Sequence, residues 1–533
     1  MSLRFLSLLL ATTFSLSAPV ALHAAPRTTL VLAVSGEPAY GYDPVKGWGR
    51  YGNTLFQSTL LKRDAKLNIV GDLATEWKAS ADRKLWTVKL REDVKFSDGR
   101  PLTAEDVAFT FETTRKEAGT VDLTVLESVR AVDARSVEFR LTQPRVTFLN
   151  MMVTLGIVPK HAYGPDYGQK PIGSGPFRLV SWAQGQQLII EPNPNHHGSK
   201  PAFTRITFLF TKEDATYAAA RAGQLDLAAV PATLAANVPP NMKRVAVDTV
   251  DNRGLLFPMQ PAKGEKTPNG ATIGNDVTAD LAIRQAVNLS LDRKALAAGV
   301  LNGFGSPAWG PADGLPWDNP EQRLPDTNPA AARELLLRAG WKPSTSASTS
   351  ANASGALEKD GVIARFTIVY PASDGTRQAL ALAAADMIRK SGIQVDVAGK
   401  AWDEIKLLAH SNVVVFGWGS HDPQEIYNLF SAGASGKGYF NAGYYRNATV
   451  NANLEKAQQA ASLQESLPHW RAAAWDGKTG FGMKGDATWA WLVNLDHVYF
   501  VNPCLDIGPR QIEPHGHGFP VTWNLQDWRW TCN

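Results

Sequence analysis

Near its C-terminus the chain carries Glu513-Pro-His515-Gly-His517-Gly-Phe-Pro520, two imidazoles two residues apart in a glycine-rich stretch flanked by prolines. Such a stretch cannot be helical. In an extended chain residues i and i+2 share a side, and Gly516 lets the backbone bend so that both rings reach one ion. Imidazole is a transition-metal ligand, so the spacing points to metal contact, with a solvent-facing histidine pair as the plainer alternative. A third imidazole, His421, follows Val413-Val-Val-Phe416, which reads as a buried strand entering the loop Gly417-Trp-Gly-Ser-His-Asp-Pro423. It offers either a ligand contact or a hydrogen bond to backbone alone. Trp418 and Trp48 are candidate flat walls for a bound molecule, and Arg446 has the forked guanidinium that meets a carboxylate. Each of the three fits core packing or plain surface equally well.

These residues need a scaffold, and 533 residues exceed what one hydrophobic core organises, so at least two lobes are expected. The composition, 44% hydrophobic and 20% charged, is that of a folded globular protein. A net charge of +4 without a dense Lys/Arg run leaves no electrostatic footprint for nucleic acid or an anionic membrane. Arg4, the apolar stretch Phe5 to Leu16 and small residues up to Ala24 and Ala25 read as a secretory signal peptide, cleaved near Ala24. No later stretch has the roughly 20 continuous apolar residues of a membrane span. The expectation is a soluble periplasmic protein, with no cysteine near the cleavage site to accept lipid. The two cysteines, Cys504 and Cys532, reach an oxidising compartment and are expected to pair, closing a loop of about 28 residues. A metal site is the weaker reading, because two isolated thiols lack C-x-x-C spacing.

Thr28 to Ser35 reads as a buried strand, and Trp77 to Lys95 as a hairpin turning at Ala81-Asp-Arg-Lys84. Thr103 caps a helix with Asp106 at its third position. Arg178 to Trp182 and Gln187 to Glu191 form another hairpin, Ala279 to Ala298 one helix and Pro329 to Ala339 a further one. Strand and helix alternate, as in α/β lobes. Ser344 to Gly355, rich in Ser, Thr, Ala and Asn, reads as a solvated loop. The chain shows no G-x-S-x-G, H-E-x-x-H or phosphate-cradling G-x-x-x-x-G-K-[ST], so hydrolase chemistry is a poor third hypothesis and no enzyme activity or catalytic cofactor is expected.

The run Gly71-Asp-Leu-Ala-Thr-Glu-Trp77 through Trp86-Thr-Val-Lys-Leu-Arg-Glu-Asp-Val-Lys-Phe-Ser-Asp-Gly-Arg-Pro-Leu-Thr-Ala-Glu-Asp-Val107 resembles the extracellular solute-binding proteins of the dipeptide, oligopeptide and nickel importers, family 5. Ile172-Gly-Ser-Gly-Pro-Phe177, Glu191-Pro-Asn-Pro-Asn195, Ile283-Arg-Gln-Ala-Val-Asn288 and Ala339-Gly-Trp341 continue the likeness over nearly all of the mature chain. The resemblance implies an α/β Venus-flytrap fold (type II, class C), two lobes joined by a hinge with the ligand between them. It implies a signal peptide at 1–24, a first lobe at 25–265 with an inserted subdomain at about 56–169, a second lobe at 266–494 and a return to the first at 495–533. In peptide-binding relatives an aspartate stands three positions after the equivalent of Trp418, where this chain has His421; nickel-binding relatives use cleft-loop histidines on a nickel ion whose other positions a small chelator fills. His196-His197 falls where relatives carry aromatics in a hairpin turn and reads as structural. The implied function is the periplasmic binding component of an ABC importer, monomeric, handing its ligand to permease subunits. The expected cargo is nickel or a related divalent metal on a small chelator, with His515 and His517 on the metal and Trp418, His421, Arg446 and Trp48 on the ligand. A dipeptide or oligopeptide is the alternative cargo, and a periplasmic chaperone or chemoreceptor adaptor a different class.

Overall fold

The apolar strand Thr29–Ala33 lies inside a seven-stranded sheet, parallel to Arg205–Leu209 on one side and to Leu227–Val230 on the other. The sheet runs Lys243–Val247, His497–Val501, Leu227–Val230, Thr29–Ala33, Arg205–Leu209, Gln187–Pro192 and Phe177–Ala183. A second sheet of six strands runs Gly305–Pro307, Trp489–Leu495, Asn252–Leu256, Val413–Phe416, Arg365–Pro371 and Gln394–Lys400. Its strands are apolar on both faces because both are covered: Val413 and Val415 enter one core with the helices Leu281–Ser290 and Gly375–Arg389, while Val414 and Phe416 enter another around Trp470. A separate four-stranded sheet from Ala74–Ala79, Leu85–Leu90, Ser136–Leu141 and Leu126–Ala131 packs on the helix Ala104–Glu117 with its own core. This computed structural model describes residues 27–532 apart from 35, 39, 52, 118–120 and 345–354. The signal peptide at 1–24 and nearly all of the loop 344–355 lie outside the described residues. Among the described residues no helix is long and apolar enough to cross a membrane.

The chain passes between the sheets twice. Val247 pairs with His497 in the first sheet and Asn252 with Asn494 in the second, so a two-stranded ribbon crosses at 248–251 and 495–496. The passage comes before residue 265, because Asn252–Leu256 bonds to Trp489–Leu495 and Val413–Phe416 of the second sheet. The expected single helix from Ala279 to Ala298 is two, Leu281–Ser290 and Arg293–Gly299. The cause is Asp292, whose carboxylate accepts from Ala295 N and so begins a new helix after Leu291 turns extended. At Thr103 the cap is half of the expected box: the Asp106 carboxylate accepts from Thr103 N at 2.9 Å.

Cys504 and Cys532 are joined. The bond fastens the short pair Leu505–Asp506 and Arg529–Trp530, where Thr531 N also donates to the Cys504 carbonyl at 2.8 Å. Replacing both cysteines with serine is expected to destabilise the lobe that holds the C-terminus by roughly 3 kcal/mol, the chain-entropy value for a loop of this size. Urea unfolding followed by tryptophan fluorescence reads the change, and an unaltered midpoint would show the bond to be energetically idle.

Candidate functional site

The crossing ribbon buries charge. Asp251 is 1% exposed and is shared by three partners: the Arg253 guanidinium, His497 Nε2 at 3.1 Å and His515 Nδ1. His497 Nδ1 reaches Glu513 Oε2 at 2.7 Å, and the Tyr499 hydroxyl donates to the same oxygen at 2.6 Å. Burial raises the Asp251 carboxyl, but Arg253 and His515 outweigh it and hold it well below its ordinary value. Burial opposes the His497 cation, yet its hydrogen bonds to Asp251 and Glu513 lift it to about 9. His497 is therefore an imidazolium donating from both nitrogens, and it ties the outgoing crossing to the returning one. A third segment is stitched on by backbone: Val250 N donates to Glu513 O at 2.9 Å, Glu513 N to Asp248 O at 3.0 Å and His515 N to Gly419 O at 2.8 Å.

That stitching sets the His515-Gly-His517 stretch, carried with the first sheet, against the Gly417–Pro423 loop of the second. The rings of His515 and His517 lie 4.8 Å apart at 58°. Burial pushes His515 down to about 4 despite the pull of Asp251, so at neutral pH its Nδ1–H donates to Asp251 and the lone pair sits on Nε2. His517 is exposed, unlike His515, and the protein on its inner side, with His515 and Arg50, lowers its ring from the ordinary value. Tyr51 stacks on His517 at 6.3 Å and 18°, and Arg50 lies over Tyr51. Opposite, His421 is buried and pushed to about 4 by burial and Arg63, whose Nη2 donates to the His421 carbonyl at 3.0 Å. The same loop buries two ring nitrogens without a hydrogen-bond partner, Trp418 Nε1 and His421 Nε2. Two carboxyls stand behind it: burial raises Asp422 to about 6 and Glu425 to about 8, although Glu425 accepts from Gly419 N at 3.1 Å.

Three cavities open near these residues. One of about 290 Å³ is walled by Trp48, Arg50, Tyr51 and His517, one of about 510 Å³ by Arg50, Arg63, His421 and His197, and one of about 400 Å³ lies beside the ribbon. Of the residues singled out from sequence, His515 and His517 come together, and the His515 backbone bonds to the Trp418–His421 loop at Gly419; His517 and His421 line different cavities, and His515 and Trp418 line none of the three. Trp48 walls a cavity but is 6% exposed, its indole N–H on the Thr54 carbonyl at 2.8 Å and its ring against Tyr42, so core packing fixes it. Arg446 is exposed and lines none of the three cavities. The arginines at the seam are Arg50, Arg63 and Arg253. The His196-His197 pair is held by the fold, His196 Nδ1 at 2.9 Å from the Ser174 carbonyl and His197 Nε2 at 3.3 Å from Asp72. Sequence reasoning missed Asp251, Arg253, His497 and Glu513; the one local signal was a charged pair, Asp251 and Arg253, flanking Asn252 at the mouth of an apolar strand. Among the described residues no group of three or more His, Cys, Asp or Glu side chains is set to hold a metal ion unaided.

Two α/β lobes joined by a crossing ribbon, with polar groups of both turned into the seam, define a two-lobed binding protein. The chain belongs to the bacterial extracellular solute-binding proteins, family 5, whose model matches residues 68–439. Protein XP55 of Streptomyces lividans is 33% identical over 504 residues, 91% of this chain and 87% of that one. The oligopeptide-binding protein AppA of Bacillus subtilis is 28% identical over 436 residues, 77% and 76% of the two chains. In fold, the chain matches the crystal structure of NikZ from Campylobacter jejuni in complex with Ni(L-His), with a TM-score of 0.81 over 95% of this chain and all of that one, at 24% identity.

The raised His497 value has a pH consequence. The folded state holds a proton that the unfolded state releases near 6.5, so this group's stabilisation is complete below 6.5 and lost as pH rises through about 9. His515, pushed to about 4, acts oppositely, its contribution present above 6.5 and lost on acidification towards 4. Melting temperatures across this range should therefore decline from pH 6.5 to 9 in the wild type, and His497→Gln should flatten that limb. An identical alkaline decline in the variant would contradict the assignment.

Proposed function

We propose that this chain is the periplasmic binding component of an ABC importer, delivering cargo to permease subunits rather than transforming it, and that the cargo is nickel or a related divalent metal held by a small organic chelator. The observation that carries the metal reading is the His515–His517 pair. Both rings are lowered from the ordinary imidazole value, they stand 4.8 Å apart, and Asp251 fixes the tautomer that leaves His515 Nε2 as the free lone pair. A carboxylate behind a ligating imidazole orients it and raises its basicity. Two imidazoles fill only part of a coordination sphere, so a chelator supplying the remaining donors fits this protein better than a bare ion. NikZ, bound to Ni(L-His), supports the same reading through the shared fold.

A peptide is the second reading, favoured by the oligopeptide-binding protein AppA among the sequence relatives. Asp422, which lines the cavity of about 510 Å³, would then face the peptide amino terminus.

Calorimetry with nickel and free L-histidine is expected to show binding that the double variant His515→Ala, His517→Ala weakens at least tenfold, about 1.4 kcal/mol. Unchanged affinity would remove both residues from the site. Native mass spectrometry of the protein as purified reads any retained cargo directly, and a retained peptide without metal would decide for the second reading.

A further inference from the structure

The unit built on the four-stranded sheet is fastened to the first lobe: Asn195 Nδ2, just past the strand Gln187–Pro192, donates to the Phe96 carbonyl at 3.1 Å, and Ser97 N donates to Gly173 O at 2.8 Å. The same unit also meets the second lobe, through residues that lie outside the ribbon. Its helix Phe148–Thr154 has Phe148 and Met152 in the unit's own core, and starts against two helices of the second lobe, Gln424–Phe430 and Ala448–Gln458, whose Ile426 and Leu454 pack with Val414 and Phe416. Val146 N donates to Gln458 O at 2.7 Å, and Arg83 Nη1 donates to Gln459 O at 2.9 Å. The Thr147 hydroxyl stands 2.8 Å from both Gln424 Oε1 and Gln458 Oε1, while Gln458 Nε2 donates to Gln424 Oε1 at 2.6 Å. Arg63, also of this unit, adds its bond to the His421 carbonyl.

Three features set this contact apart from core packing. The last carbonyls of a helix have no partner within it, and here those of Gln458 and Gln459 take their donors from the other lobe. Thr147 stands just before its helix, yet its hydroxyl makes no capping bond and meets the two glutamines instead. Thr147, Gln424 and Gln458 are 2%, 6% and 1% exposed, but the bonds they make are ones that water replaces at little net cost, unlike the burial of an apolar surface. A polar contact of this kind lets two bodies separate and rejoin. We propose that these residues form a latch between the inserted unit and the second lobe, holding the lobes together in the free chain, so that each bond removed moves the population toward an open form. A solute that binds the closed form then gains or loses apparent affinity in proportion to the closed fraction. The inference concerns closure alone and stands whichever cargo the seam takes.

Small-angle X-ray scattering of the full chain, with no solute added, tests this. Thr147→Val keeps the side-chain shape and removes the hydroxyl. Arg83→Asn removes the reach to Gln459 at an exposed position and suits the left-handed backbone there, φ 58°. The wild type is expected to scatter as the compact form described here, each variant to show a larger radius of gyration, and the double variant the largest. The melting temperature of Arg83→Asn is expected to match that of the wild type, which separates opening from unfolding. Superimposable curves from the wild type and the double variant overturn the latch. If circular dichroism shows that Thr147→Val does not fold, Arg83→Asn decides alone, and a curve identical to the wild type overturns it. Because no cargo is present, neither result bears on the metal reading.

Discussion

One buried carboxylate, Asp251, sets the geometry on which the rest depends. It lies where the chain first leaves one sheet for the other; Arg253 beside it and His497 on the returning strand neutralise it, and His515 on the C-terminal segment donates a hydrogen bond to it. An isolated charge at that depth is untenable, so its partners hold their places as a condition of folding, and losing any one leaves the others uncompensated. The two crossings and the histidine-bearing segment are thereby fixed relative to one another. The ribbon between the two sheets is only the few residues at 248–251 and 495–496.

The same network prepares the seam for cargo. It keeps His497 charged and His515 neutral within one cluster, so one imidazole serves as a structural cation and the other presents a lone pair. Around them the lining is polar: Arg50 and Arg63 on one flank, Asp422 beside the tryptophan loop, Glu213 and Asp374 at the far cavity. Such a lining suits a polar, internally compensated solute.

The fold was largely legible because its signals are local. Alternation through Leu85–Leu90, the turn before it and the Thr103 helix start announced themselves in consecutive residues, and the run from Gly71 to Val107 resembled a family whose matched region does cover it. The exception at 279–298 came from apolar spacing that continued across Asp292, which the folded chain uses as a cap. The site was legible only where its residues are neighbours in sequence, as in the Trp418–His421 loop and His515-Gly-His517. Asp251 meets His497 across 246 positions and His515 across 264, and nothing in the spacing of a single chain reports such a meeting. Arg446 has fitting chemistry, but it lies just before the N-cap of the helix Ala448–Gln458, and chemistry alone does not report that this position faces solvent.

The account turns on imidazoles of the C-terminal segment facing cargo inside the closed seam. Diffraction at the nickel absorption edge, from crystals grown with nickel and L-histidine, tests this most directly. The account predicts a single anomalous peak between the lobes, bonded to a ring nitrogen of His515 or His517. A peak on the outer surface, or a seam filled by ligand with no anomalous signal beside either ring, would contradict it.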